Sequence, residues 1–268
     1  MAATDKQMAE WLGRDLSTID LVVLMIDGVY IEEHVLLVAL GIDADGKKHV
    51  LGVRKGATEN AASCTALITD MRERGLRTDC ALLAVIDGAK ALAKAIRDVY
   101  GARALIQRCQ AHKSRNVLDQ LPEGARPSVR QALRDAYGSA DVGRAKKLLT
   151  NLGRRLRDEH PGAAASLEEG LDETLTLKRL GLPSKLERQL STTNAIENLM
   201  GAVRQLTRRV KRWRGGRMIL RWTVTAVADA ADRFRRVSGA REGMTALVRA
   251  LKERENNAAG SAPRKQAA

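Results

Sequence analysis

The sequence predicts an α/β fold: a mixed five-stranded sheet with flanking helices, interrupted by an all-helical insertion. Three observations carry this expectation. Short β-branched and leucine-rich runs separated by Asp-Gly turns open the chain. Helical and strand periods then alternate up to about residue 107. From about residue 117 to 190 strand patterns vanish and proline-punctuated helical patterns replace them.

Residues 21–26 (LVVLMI), 34–40 (HVLLVAL) and 48–53 are separated by Asp27-Gly28 and by Asp43-Ala44-Asp45-Gly46, so they read as an antiparallel meander. The period then changes. Residues 60–74 place Ala61, Cys64, Leu67, Ile68 and Met71 at helical spacing, and Gly75 ends the helix. Residues 80–86 (CALLAVI) form a continuous apolar run, the signature of a strand buried on both faces. Residues 89–100 are helical again and 102–107 form a short strand. The order βββαβαβ is that of a ribonuclease-H-like core. Residues 128–137 and 142–159 carry helical patterns among Pro122, Pro127, Pro161 and Pro183. Residues 194–212 and 218–234 are amphipathic helices, and the Asn/Ala/Gly/Pro-rich composition past Glu255 predicts disorder. The chain thus divides into an N-terminal segment (1–19), the first part of the core (20–116), the helical insertion (117–190), the C-terminal helices of the core (191–240), and a last helix with a disordered tail (241–268).

With 44% hydrophobic residues among 268, the chain holds enough apolar material for a core, which excludes a disordered tail protein. No apolar run approaches the roughly 18 residues of a membrane span. The first eleven residues lack the basic and apolar regions of an export signal, and three cysteines are too few for a disulfide framework, so a reduced, cytoplasmic setting is expected. The net charge of +14 is unevenly placed. Basic and acidic residues number 12 and 15 over positions 1–100, 17 and 12 over 101–200, and 15 and 5 over 201–256. A basic C-terminal part suits a polyanion such as nucleic acid, because each phosphate neutralised releases counterions.

Asp27 and Asp87 each follow an apolar strand in the same setting, Met25-Ile26-Asp27-Gly28 and Val85-Ile86-Asp87-Gly88. Singly, each Asp-Gly reads as a turn. Together, at the ends of neighbouring strands, two carboxylates call for a hard cation such as Mg²⁺ or Mn²⁺. Glu197 is the candidate third carboxylate; it also fits a capping box with Asn194 as N-cap. On a helical wheel Glu197, Gly201, Arg204, Arg208 and Arg212 share a stripe beside the apolar face, so a phosphodiester could reach the carboxylate past Gly201. Three carboxylates can hold two cations for in-line phosphoryl displacement. Cys109 and His112 form a C-x-x-H pair that is only half a zinc site. Two other roles stay open, core packing with a hydrogen bond that fixes the turn, and a place near the phosphate for His112. Lys211-Arg212-Trp213-Arg214-Gly215-Gly216-Arg217 is a basic turn whose Trp213 either stacks on an unpaired base or packs under the next helix, while Trp222 reads as core.

Leu24-Met25-Ile26-Asp27-Gly28, Gly56-Ala57-Thr58-Glu59-Asn60, Val85-Ile86-Asp87-Gly88-Ala89, the run Gln107 to Val117 (QRCQAHKSRNV) and Thr192-Thr193-Asn194-Ala195-Ile196-Glu197-Asn198 together resemble the Mutator family of bacterial insertion-sequence transposases, DDE enzymes of ribonuclease-H-like fold. The resemblance covers about residues 20–239. It implies Asp27, Asp87 and Glu197 as catalytic residues and ligands of two Mg²⁺ or Mn²⁺ ions, with Cys109 and His112 as the supporting motif. It also implies DNA cleavage and strand transfer at inverted repeats; the expected DNA contacts, on the basic residues themselves, are Lys113, Arg115, Arg204, Arg208, Arg209, Lys211, Arg212, Trp213 and Arg214. The implied setting is a homo-oligomer on transposon ends and target DNA, in the nucleoid of a bacterial cytoplasm. Two features depart from the family. Asp27 lies almost at the start, where relatives carry helix-turn-helix elements, so the chain is expected to be truncated; and the insertion holds no tryptophan to stabilise a flipped base. A structure-selective nuclease and a non-catalytic DNA-binding remnant that interferes with a full-length transposase are the competing readings.

Overall fold

The computed structural model describes residues 2–56 and 60–260. Helix α1 (Ala2–Leu12) leads into β1 (Leu21–Ile31), β2 (His34–Asp43) and β3 (Lys48–Gly56). Helix α2 (Ala61–Glu73) then crosses to β4 (Leu82–Ile86), and α3 (Lys90–Tyr100) crosses to β5 (Ala104–Arg108). The sheet order is β3-β2-β1-β4-β5. The β1–β2 and β2–β3 pairs are antiparallel, and the β1–β4 and β4–β5 pairs are parallel. This is the predicted mixed sheet in its ribonuclease-H-like order.

After β5 come α4 (Gln110–Asp119), α5 (Arg126–Gly138), α6 (Val142–Arg157), α7 (Pro161–Glu168), α8 (Thr176–Arg179), α9 (Ser184–Leu190), α10 (Asn194–Thr207), α11 (Gly216–Ala231) and α12 (Ala240–Gly260). Strand residues alternate between two buried faces, as the period of two requires. Leu24, Ile26, Leu37, Ala84 and Ile86 pack on α2 and α3, while Val23, Met25, Leu36, Val38 and Val85 pack on α9 to α12. The insertion has a core of its own from Val117 to Leu175, whereas Leu177, Leu182, Leu186 and Leu190 join the core of the sheet. Helix α1 has no counterpart among the predicted elements. It packs on α11, where Asp5 pairs with Arg217 at 3.2 Å and with Arg221 at 3.6 Å.

The structure corrects the first turn. Asp27-Gly28 does not end β1: Asp27 pairs with Val38, Gly28 with Leu37, and the strand continues to Ile31. The turn is Glu32-Glu33, with Glu32 in the left-handed region at φ 51°. Ladder bonding to β2 and the burial of Val29 and Ile31 outweigh the local turn preference of Asp-Gly. The second turn falls where expected: Asp43 N–H donates to the Lys47 carbonyl and Gly46 takes φ 77°. Helix α12 runs past Glu255 to Gly260, and residues 261–268 of the expected tail lie outside the described residues. Residues 57–59 of the Gly56–Asn60 motif do as well; Asn60 caps α2 by accepting from Ser63 N–H at 2.9 Å. No helix among the described residues is long and apolar enough to cross a membrane.

Candidate active site

The parallel pairing of β1 with β4 sets Val23 opposite Leu83 and Leu24 opposite Ala84. Asp27 lies inside β1 and Asp87 directly follows the last residue of β4, the same 60 residues apart as the paired Leu24 and Ala84 (84 − 24 = 60). Asp27 is fixed by a 2.8 Å bond from the Gly28 N–H, and Asp87 by a 2.9 Å bond from the Ala89 N–H. Burial raises the Asp27 pKa. The Gly28 N–H lowers it, Asp87 raises it, Arg204 lowers it and Glu197 raises it again. All three carboxylates therefore act on one electrostatic field. Their oxygens are hard donors, and their mutual repulsion is what a divalent cation such as Mg²⁺ or Mn²⁺ would relieve, so the donor set fits such an ion.

Glu197 arrives by a different route, along α10. The N-cap of this helix is Thr193, not Asn194, and the expected capping box is not formed. Instead the Thr193 hydroxyl donates to Glu197 Oε1 at 2.5 Å, across one helical turn. The segment joining this helix to the Asp87 strand is the C-x-x-H motif. Cys109 N–H donates to the Ile86 carbonyl at 2.7 Å, one residue before Asp87, and Gln110 N–H donates to the Ser191 carbonyl at 2.9 Å, just before α10. Cys109 caps α4 by accepting from His112 N–H at 3.5 Å, which is the turn-fixing role. Among the described residues, Cys109, His112 and Glu197 are the group whose ligand atoms lie within 4.8 Å of one another. Burial pushes the Cys109 thiol up, but hydrogen bonds with His112 and Thr193 outweigh it and leave the pKa below the ordinary value. The His112 pKa is raised by its hydrogen bond with Cys109; burial opposes this, and the charges of Cys109, Glu197 and Asp87 support it.

The other residues of the motif face the insertion. Gln107 donates to the carbonyls of Arg108 and Thr174 at 2.7 and 2.9 Å and accepts from Leu177 N–H at 2.9 Å. Arg108, 7% exposed, donates to the Glu169 carbonyl at 3.0 Å and to its carboxylate at 3.1 Å. Its guanidinium lies on Gly88 (φ 112°), where a Cβ would come within 2.2 Å of Nε. Lys113 departs from its expected place on DNA. It is 1% exposed, and its ammonium donates to the carbonyls of Ser166 and Glu169 at the C-terminal end of α7. Four carbonyls of a helix end lack intrahelical partners, and a cation satisfies them well. Burial drops the Lys113 pKa to about 8.

The basic stripe is also rearranged. Helix α10 ends at Thr207, Arg208 is its C-cap, and Arg212 lies in the following loop, not on the Glu197 helix. Like charges at positions 208, 209, 211, 212 and 214 repel across a helical turn, and Gly215, at φ 94°, separates this loop from α11. Arg115, Arg204, Arg208, Arg209, Lys211, Arg212 and Arg214 are all exposed, and a Cβ at Gly201 would meet nothing within 4 Å, so the surface beside Glu197 is open. Trp213 is half-buried and packs against the core shared by the sheet and α9 to α12. Trp222, expected in the core, is only half-buried. Thr193 and Arg108 were not among the expected site residues. The spacing of Thr193 four residues before Glu197 was the signal for it; Arg108 had none, because its partner lies in the insertion.

Comparison with known proteins identifies a family. The profile of the transposase Mutator family matches residues 1–237. The transposase for insertion sequence element IS6120 of Mycolicibacterium smegmatis is 34% identical over 244 residues, covering 88% of this chain and 73% of its own length. The transposase for insertion sequence element IST2 of Acidithiobacillus ferrooxidans is 35% identical over 176 residues, 66% of this chain and 58% of its own. The transposase for insertion sequence element IS256 in transposon Tn4001 of Staphylococcus aureus is 30% identical over 207 residues, 73% and 51%. The chain therefore spans half to three quarters of these relatives and belongs to the Mutator family of transposases.

Proposed function

We propose that this chain carries the catalytic centre of a DDE transposase, with Asp27, Asp87 and Glu197 holding two divalent cations, Mg²⁺ or Mn²⁺, and with DNA as the partner. The observation that supports this most is that the charges of Asp87, Glu197 and Arg204 all act on the half-buried Asp27, whose strand β1 runs parallel to the strand that precedes Asp87. When bound, such ions supply activation of a water or 3′-hydroxyl and stabilisation of the leaving oxygen. The chain's own residues do the rest. Backbone N–H groups aim Asp27 and Asp87, and the Thr193 hydroxyl holds Glu197. The exposed cations at positions 204, 208, 209, 211, 212 and 214 neutralise backbone phosphates beyond the carboxylates and position the duplex without reading it. Cleavage and joining at inverted repeats, assembly as a homo-oligomer on transposon ends and target, and residence in the bacterial nucleoid complete the reading.

The test is a Mg²⁺-dependent cleavage and strand-transfer assay on an inverted-repeat duplex with a free 3′-hydroxyl. Asp87→Asn and Glu197→Gln should each lose at least about a thousand-fold in rate, the equivalent of several kcal/mol of lost metal-assisted stabilisation, with DNA affinity nearly unchanged. Normal cutting by either variant would overturn the proposal. Changing Arg204, Arg208 and Arg212 to Ala should flatten the salt dependence of duplex binding by about 0.9 in log–log slope for each phosphate no longer neutralised. The same triple change at Arg154, Arg155 and Arg157 of the insertion should flatten it less, and equal slopes would remove the α10 end from the DNA path.

A further inference from the structure

We propose that Thr193 is a positioning residue for Glu197, and that Cys109 and His112 serve to hold Thr193 and not to bind a metal. This rests on the reading of Glu197 as a cation ligand. A thiol, an imidazole and a carboxylate with ligand atoms within 4.8 Å of one another look by themselves like a transition-metal site. The centre of that trio is filled. Thr193 Oγ1 lies 2.5 Å from Glu197 Oε1, 3.3 Å from His112 Nδ1 and 3.4 Å from Cys109 Sγ. A zinc ion needs contacts of about 2.0–2.3 Å to the same atoms and would have to take the hydroxyl's place. The sulfur is further engaged by the N–H groups of His112 at 3.5 Å and Thr193 at 3.4 Å.

The hydroxyl has one proton, and the 2.5 Å contact assigns it to the carboxylate. His112 can then bond to Oγ1 only as an Nδ1–H donor. Thr193 is 3% exposed and β-branched, so its χ1 is stiff and its hydroxyl cannot turn to solvent. One oxygen of Glu197 is thereby fixed in the protein and the other is left for a ligand. Ordering a free glutamate side chain costs up to about 2 kcal/mol, and Thr193 removes that cost before the cation arrives. The same cysteine is tied through its N–H to Ile86, so the arrangement also sets Glu197 relative to the strand that carries Asp87.

The experiment is Mn²⁺ titration of the full chain followed by electron paramagnetic resonance, alongside the cleavage assay. Thr193→Val, which keeps shape and loses the hydroxyl, should weaken Mn²⁺ binding about 10-fold or more, the usual effect of removing an outer partner of a ligand, while Thr193→Ser should stay close to wild type. Equal binding by Thr193→Val and wild type, or equal loss in Val and Ser, would overturn the proposal. Should Thr193→Val fail to fold, the comparison becomes Ser against Ala, of which Ser must retain affinity and Ala lose it. Glu197→Gln separates the two levels of the argument. If it binds and cuts normally, the reading of Glu197 as a ligand fails; if it loses both while Thr193→Val does not, only the role of Thr193 fails. Titration with Co²⁺ tests the remaining possibility. No thiolate-to-cobalt absorption band is expected, and a band that disappears in Cys109→Ala would show that the trio binds a metal after all.

Discussion

Two charged clusters flank the short segment 107–113, and they differ in how their charge is balanced. On the insertion side, Arg108 and Lys113 meet Glu169 and the carbonyl end of α7, and Glu169 takes a further ion pair from Lys90 at 3.1 Å. On the sheet side, Asp27 feels the negative charge of Asp87 and Glu197 against only Arg204. The first cluster sets three cations against Glu169, directs their N–H donors to that carboxylate and to backbone carbonyls, and builds structure, with Arg108 Nε left without a partner. The second carries negative charge in excess, and such an excess marks a place where a ligand supplies the missing charge.

The comparison breaks most sharply at Arg108. Arg108→Met should cost about 3 kcal/mol in urea unfolding, since two charge-assisted hydrogen bonds from a buried guanidinium disappear. A loss under about 0.5 kcal/mol would mean the pair is no more than a surface contact. Gly88→Ala should follow at about 1–3 kcal/mol, because φ 112° disfavours any side chain and the new Cβ would meet Arg108. Because Gly88 follows Asp87, this variant should also lower cleavage more than its stability loss explains, and activity tracking the folded fraction alone would contradict that.

Lys113→Met tests the insertion side through pH. The folded pKa near 8 lies below the ordinary 10.5, so the unfolded chain binds the extra proton between these values and wild-type stability gains as pH rises from about 8 to 10.5. Melting temperatures across that window should rise less in Lys113→Met, and parallel profiles would count against a buried, charged Lys113. The smallest effect is expected at Asp27→Asn in metal-free protein. The folded pKa of Asp27 is raised, so the stability of its neutral form is complete at acid pH and lost as pH rises through that pKa. The variant should therefore melt slightly higher than wild type at pH 7, with the gap closing toward pH 3.8, the ordinary carboxylate value. Added Mg²⁺ should raise the wild-type melting temperature and reverse the order. A variant less stable than wild type at pH 7 without metal would show that Asp27 is held by local bonds and not strained by its neighbours.

The order of elements from β1 to β5 and the repeated Ile-Asp-Gly setting were legible in the sequence. Apolar runs of period two and then of mixed period fix strands and helices locally, and the recurrence of Ile-Asp-Gly after two of those runs is visible without coordinates. Which local preferences would lose was settled by packing between distant elements. Asp27-Gly28 reads as a turn until β2 offers it a ladder partner. Lys113 reads as a DNA contact because a lysine beside an arginine-rich segment is normally solvated. Its burial depends on the carbonyl end of α7, more than fifty residues away in sequence. The same holds for Thr193. Its hydroxyl joins Glu197 locally at i,i+4, but Cys109 and His112 reach it across eighty-four and eighty-one residues. Periodicity reports which face of an element is apolar; the partner that satisfies a buried polar atom is set by how separate elements pack, and that information is not local.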